Sequence, residues 1–223
     1  MGTTYGHKII TDGLVLCLDA ANTKSYPGSG TTWADLTGNN SCELQNSPSF
    51  SAGVFSFTGT EFGIIAENDV FNIPNPSVEA WIKTNATTQN GFFFEKGTVN
   101  TQYSLFQEGA NIQWRQSTSV GLVTLSITAA DYISTSYFAQ IVGTFTYGDR
   151  ITYVNGIEAK SDVLNGLITT NTHGCSVGVY GGYDGDRGYY FDGDIAIIRV
   201  YNRVLTPDEV LQNYNANKGR FGL

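Results

Sequence analysis

Short runs of apolar and β-branched residues alternate along most of the chain with clusters of Gly, Asn, Asp and Ser, the pattern of many strands joined by tight turns. GLVLCLDA, about residues 14–20, is apolar on both faces and reads as a central strand. A long loop follows over 22–40, and VFSFTG (54–59) with EFGIIA (61–66) reads as a hairpin around Gly59-Thr60. In SVEAWIKT (77–84), Val78, Ala80 and Ile82 alternate with Glu79, Trp81 and Lys83, so the two sets belong to opposite faces. GFFFEKG (91–97), QYSLFQ (102–107), NIQWRQ (111–116) and LVTLSI (122–127) continue as a meander. Residues 137–160 predict two strands around Gly148-Asp149 and a type I′ turn at Asn155-Gly156, whose central residues both need positive φ. CSVGVY (175–180) and YYFDGDIAIIRVYN (189–202) add the last strands.

The period changes once, near the end. Thr206 is a suitable N-cap, Pro207 suits the first helical position and Glu209 completes a capping box. Val210, Leu211 and Tyr214 form one apolar stripe, and Lys218 with Gly219 fits a helix stop. A helix over 206–218 is therefore predicted, expected to plug one end of a sandwich. Residues 1–12 read as an N-terminal arm and 1–223 as one domain.

Composition narrows the function classes. Charged residues make up only 14%, aromatics 13%, and the formal net charge is −8. Disordered chains show few aromatics and many charges, the reverse of this balance. A nucleic-acid binder carries a basic face, so no nucleic-acid partner is expected. The start, MGTTYGHKII, has no apolar core of a signal peptide, and no apolar run reaches the about 18 residues of a membrane span, so neither secretion by a leader nor membrane insertion is expected. Cys17, Cys42 and Cys175 are spaced neither as a disulfide framework nor as a zinc site; three reduced thiols are expected, a Cys17–Cys42 bridge being the alternative.

Three segments carry a family resemblance: GLVLCLDAANTKSYPGSGTTWADLTGNN (13–40), SVEAWIKT with the later YVNG, and FDGDIAIIRVYNRVLTPDEVLQNYNANKGRFGL (191–223). Together they resemble the LamG-like branch of the concanavalin A-like lectin/glucanase superfamily. The resemblance implies an all-β jelly-roll sandwich of two curved antiparallel sheets with one short C-terminal helix. Residues 18–36 and 213–223 look most like LamG-like modules of tailed-phage virion proteins. That implies a non-enzymatic virion structural protein of head, tail or fibre, made in the host cytoplasm, in contact with other virion proteins, oligomeric in the assembly and touching host-surface glycans. The alternative is a free-standing carbohydrate-binding lectin dependent on calcium. Ala196 stands where many cellular relatives carry an acidic residue, so no role of that acid carries over.

The superfamily includes glucanases, and a retaining glycosidase needs two carboxylates about 5–5.5 Å apart. The nearest approach is Asp192 with Asp194 on one strand face, followed there by Ala196 and Ile198, which reads as a strand rim; no catalytic residue is assigned. His7 and His173 have no partner motif. Binding chemistry is richer. In NIQWRQST, Gln113 and Arg115 share one face and Trp114 takes the other, so Trp114 and Arg115 cannot both line one groove. GGYDGDRGYY (181–190) adds Tyr183, Asp184 and Arg187 as further carbohydrate-contact candidates. Jelly-roll relatives often hold calcium with loop oxygens, which makes Asp19, Asn22 and Asp35 candidate metal ligands; the competing reading has Asp19 and Asp35 bonding backbone amides of the 22–40 loop. Finally, Arg199, Arg203, Lys218 and Arg220 stand against Asp208 and Glu209, so residues 199–223 carry +2 and the rest −10, which fits either a basic end docking on an acidic partner or basic residues serving the helix C-terminus.

Overall fold

The computed structural model describes residues 8–38, 40–97, 101–182, 185 and 187–223. Its strands are β1 (Leu14–Asp19), β2 (Thr32–Trp33), β3 (Cys42–Gln45), β4 (Ser49–Ser51), β5 (Val54–Thr58), β6 (Phe62–Ile65), β7 (Ser77–Thr84) and β8 (Gln89–Lys96). These are followed by β9 (Tyr103–Gly109), β10 (Asn111–Thr118), β11 (Gly121–Thr128), β12 (Ala139–Thr146), β13 (Asp149–Val154), β14 (Ile157–Asp162), β15 (Cys175–Val177) and β16 (Asp192–Tyr201). They pair as two antiparallel sheets packed as a jelly-roll sandwich. The first runs β14-β13-β12-β7-β16-β5-β4 with β1 also on β16, and the second runs β11-β10-β9-β8-β15-β6-β3-β2.

The second half of the chain follows its pattern closely. The Asn155-Gly156 turn forms with φ of 51° and 80°, as the type I′ geometry requires. The first half departs from it. β5 pairs with β4 and β16 while β6 pairs with β3 and β15, so 54–59 and 61–66 are not a hairpin. The turn at Gly59 (φ 93°) instead carries the chain from one sheet to the other. The long loop contains β2, and β3 and β4 are too short to show a period.

The main core lies between the sheets and includes Val78, Ala80, Ile82, Leu105 and Trp114. Gly143 on β12 sets the sheet separation at its centre: a Cβ there would stand 2.4 Å from the Trp114 ring. The indole also donates to the Thr144 carbonyl of the opposite sheet at 3.0 Å.

The helix, α1 (Pro207–Asn217), forms with the Thr206–Glu209 capping box in place. It does not plug an end of the sandwich. Trp81 and Glu79 project from the outer face of the first sheet, and α1 with the turn after it covers them: Trp81 stacks on Phe221 at 4.6 Å and on Tyr214 at 5.9 Å. Glu79 Oε1 accepts hydrogen bonds from Trp81 Nε1, Gln140 Nε2 and Arg199 Nη1 at 2.9–3.0 Å, and Oε2 accepts from Asn213 Nδ2 at 2.9 Å. A sheet face with a buried carboxylate and a tryptophan needs a cover that can hydrogen-bond, and Asn213 is buried on the helix for that purpose. The chain continues as a 3-10 turn over Lys218–Phe221 and reverses at Gly222 (φ 73°) rather than at Gly219.

The C-terminal arginines are used internally, which leaves little of the basic end free for an acidic partner. Arg199 is buried against Glu79, Arg203 grips Glu209 and Asp12, and Arg220 pairs with Asp19. Burial works against the Arg199 cation, yet Glu79 beside it holds its pKa above the ordinary arginine value. Residues 8–10 lie against the same helix: Ile10 N–H donates to Asn213 Oδ1 at 2.8 Å and Gln212 Nε2 donates to the Lys8 carbonyl at 2.8 Å. The rest of the predicted arm, 1–7, lies outside the described residues. All three cysteines are free and buried, and burial pushes each thiol up, so the Cys17–Cys42 bridge is not formed. Among the described residues no helix is long and apolar enough to cross a membrane.

Candidate functional site

The outer face of the second sheet is left uncovered by α1. Strand β10 alternates as its sequence predicts, with Ile112, Trp114 and Gln116 buried and Gln113 and Arg115 partly exposed. On β9 the matching outward residue is Phe106. On β8 a register shift between Phe92 and Phe94 breaks the alternation of the Phe92-Phe93-Phe94 run, so Phe93 packs inward on Phe191 while Phe92 turns outward. Phe92 then pairs with Phe106 across the strands, the rings stacked at 4.3 Å and 9°. The Arg115 guanidinium lies 4.2 Å over the Phe106 ring.

Two tyrosines from the connection between β15 and β16 complete the wall. Tyr180 and Gly188 exchange backbone hydrogen bonds at 3.0 and 3.2 Å, which brings the two arms of the connection together. Tyr180 reaches Phe92 at 5.2 Å, and Tyr189 reaches Phe92 at 6.5 Å and Tyr180 at 6.2 Å. Asn90, Phe92, Phe106, Arg115, Tyr180 and Tyr189 thus surround a cleft of about 210 Å³ that Gln107 and Glu108 also line. Tyr189 stands at φ 50° and remains 52% exposed. A bulky residue rarely adopts that left-handed backbone, and strain of this kind gathers at ligand sites.

Polar groups sit at the edge of the aromatic platform. Gln113 Nε2 donates to Glu108 Oε2 at 3.0 Å, and Arg115 Nη2 reaches Gln113 Oε1 at 3.3 Å and Glu108 Oε2 at 3.5 Å. Burial lowers the Arg115 pKa from its ordinary value, with Glu108 opposing. Behind the cleft, Glu95 on β8 is fully buried and accepts from Gly181 N–H and the Thr101 hydroxyl, both at 2.8 Å. Burial raises its pKa to about 8 despite these bonds. Glu95 therefore ties the start of the tyrosine connection to the sheet.

Of the sequence-predicted contacts, the structure brings Arg115 to the cleft lining, with Gln113 beside it, bonded to Glu108 and Arg115. Trp114 is corrected: it is fully buried, with its N–H bound across the core, so it cannot stack on a ligand. Arg187 stands outside the cleft lining, its guanidinium 4.6 Å over Phe62. Tyr183 and Asp184 lie outside the described residues.

Asp19, Asn22 and Asp35 do not form a calcium site. Asp35 accepts from the backbone N–H groups of Cys17, Thr37 and Asn40 at 2.8–3.2 Å, and Asn22 Oδ1 accepts from Lys24 N–H at 3.0 Å. Asp19 accepts from Ala21 N–H and from Arg220. These oxygens hold the 22–40 loop through amides, and among the described residues no three His, Cys, Asp or Glu groups cluster as metal ligands. Asp194 pairs with Lys83 at 2.8 Å and accepts from Ser56 Oγ, and Asp192 accepts from Asn85, as rim residues do.

Phe92, Phe106 and Tyr180 escaped the sequence reading, and Tyr189 entered it only as part of the 181–190 loop. The available signal was the triple phenylalanine: three consecutive large rings on a strand cannot all face one core, so at least one faces outward.

A family model described as the concanavalin A-like lectin/glucanases superfamily matches residues 57–211. A search of curated proteins finds no match to this chain. Among solved structures, the binding domain of botulinum neurotoxin DC, in complex with rat synaptotagmin II, superposes with a TM-score of 0.69 at 13% identity, over 92% of this chain and 51% of that one. A botulinum neurotoxin type C structure, described by the dependence of that toxin's cell entry on two ganglioside molecules, gives 0.69 at 12% identity over 92% and 51%. The binding domain of Paraclostridial Mosquitocidal Protein 1 gives 0.67 at 18% identity over 92% and 52%. This chain thus spans about half the length of these chains, and at such identities the likeness is one of fold.

Proposed function

The chain belongs to the concanavalin A-like lectin/glucanase superfamily, and from that premise we propose that it binds carbohydrate, without turnover, in the cleft on the outer face of its second sheet. The observation that carries the reading is Tyr189, exposed and held in a strained backbone beside the stacked Phe92–Phe106 pair. Phe92 and Phe106 are themselves buried and back the cleft, so the C–H face of a pyranose packs on Tyr189 and Tyr180, and its hydroxyls find Asn90, Glu108 and Arg115 at the edge. The two carboxylates near the platform are unsuited to acid–base partnership: Glu95 is sealed beneath the surface and Glu108 is engaged with Gln113 and Arg115. The ganglioside dependence of a toxin with the same fold is in keeping with this reading.

A glycan array tests it. Binding by the wild-type protein and its loss in Tyr189→Ala, with the fold retained by circular dichroism, is the expected result. Silence across the array, or binding indifferent to Tyr189, overturns it.

The setting we propose is the surface of a phage particle, on the resemblance of residues 18–36 and 213–223 to virion modules. Mass spectrometry of purified particles would detect the chain, and its absence would remove that setting while leaving the binding reading intact.

A further inference from the structure

Arg115 supplies more than the aromatic platform needs. Among the described residues its contacts are all long for a charged donor: 3.3 Å to Gln113, 3.4 Å to Thr124 and 3.5 Å to Glu108. Charge-assisted bonds of a guanidinium run about 2.7–2.9 Å. Four other arginines of this chain reach or approach that range: Arg150 on Asp162, Arg203 on Glu209, Arg220 on Asp19 and Arg199 on Glu79 stand at 2.6–3.0 Å. Arg115 is therefore a cation held flat against Phe106 with its charge only loosely met.

Glu108 is the group that meets it, and it does so from the ligand side. Its side chain is 47% exposed against 17% for Arg115, and it lines the cleft. Its carboxylate stands at the edge of the guanidinium, where an incoming carboxylate would also stand. Release of Glu108 gives up a 3.5 Å ion pair and the Gln113 bond, both of which water can replace at its half-exposed carboxylate. The other nearby carboxyl, Glu95, has its pKa raised by burial and offers Arg115 little negative charge at neutral pH.

We propose that the cleft selects saccharides bearing a carboxylate, with Arg115 as the residue that reads the charge and Glu108 as an internal stand-in that the ligand displaces. The proposal rests on the carbohydrate reading of the cleft. The planar guanidinium, stacked by one face on Phe106, keeps its N–H edge for a planar carboxylate, while the sugar ring lies on the accessible Tyr180 and Tyr189.

The test uses uronic-acid oligosaccharides, each printed beside its carboxyl-reduced counterpart, in which the carboxylate has become a hydroxymethyl group and the ring is unchanged. The wild-type protein is expected to bind the acidic member at least about tenfold more tightly. Arg115→Gln should erase that preference, lowering affinity for the acidic member by a larger factor than for the reduced one. Glu108→Gln should widen it, since the competing carboxylate is gone. Thermal unfolding confirms that both variants fold. Equal binding of the two members by the wild-type protein overturns the acid preference and leaves the carbohydrate reading standing. A Glu108→Gln variant that loses affinity for the acidic member overturns the stand-in role. No binding to any member overturns the acid preference and leaves the carbohydrate reading to the full glycan array.

Discussion

Tyr189 carries an energetic cost where it stands. A left-handed φ in a bulky residue costs of order 1–3 kcal/mol, and half of this side chain is in water, so packing returns little of it. Tyr189→Gly is therefore expected to keep stability within about 1 kcal/mol of the wild-type value or raise it, while glycan affinity falls by about tenfold, which is about 1.4 kcal/mol. Chemical denaturation and isothermal titration measure the two halves. Glu95 makes a second test at this scale. Its folded-state pKa of about 8 lies above the ordinary 4.5, so between those values the native state holds more proton than the unfolded chain. Its contribution is thus greatest below pH 4.5 and is lost as pH rises to about 8. In urea titrations at a series of pH values, Glu95→Gln should flatten that decline. At the same scale, Trp114 shows how far a period can be read. Alternation along 111–118 separated Trp114 from Arg115 correctly, but a period of two says which residues share a face, not which face is the core.

Elements were legible where their own residues hold the signal. α1 was, because Thr206, Pro207 and Glu209 form its cap from adjacent positions. Thr206→Ala should cost about 1 kcal/mol. Glu209, whose pKa Arg203 and the cap amide lower to about 2, should contribute stability above pH 4.5 that fades as pH falls toward 2. Where α1 docks was not legible, since that depends on Glu79 and Trp81, far away in the chain. Glu79→Gln leaves the Arg199 cation buried without its partner and should cost about 3–5 kcal/mol. Arg199→Met added to it should recover part of the loss; purely additive unfolding energies would contradict the coupling. Strand β8 was found, but its bulge was not, and the bulge is what turns Phe92 toward the cleft. A bulge changes the count of one strand against its neighbour, and no single segment displays that count.

Across the whole molecule, the all-β architecture was legible from turn spacing and composition, while sheet membership was not. Gly59-Thr60 looks the same whether it joins two strands of one sheet or crosses between two. Strands of two to four residues such as β2 and β3 are likewise too brief to show a period. The separation of the sheets hangs on Gly143 and Trp114: Gly143→Ala would press a methyl into the indole and should lower stability by about 1–3 kcal/mol, read as a drop in unfolding midpoint.

The meeting of residues 8–10 with α1 has a consequence of another kind. Both described ends of the chain lie on the back of the first sheet, and the cleft opens on the front of the second. A module hung from a larger body by either end therefore turns its cleft outward, and several copies hung side by side turn theirs the same way. Weak single contacts then add up, since each bound copy raises the effective concentration of the next and avidity can exceed one site's affinity by about 10²–10⁴.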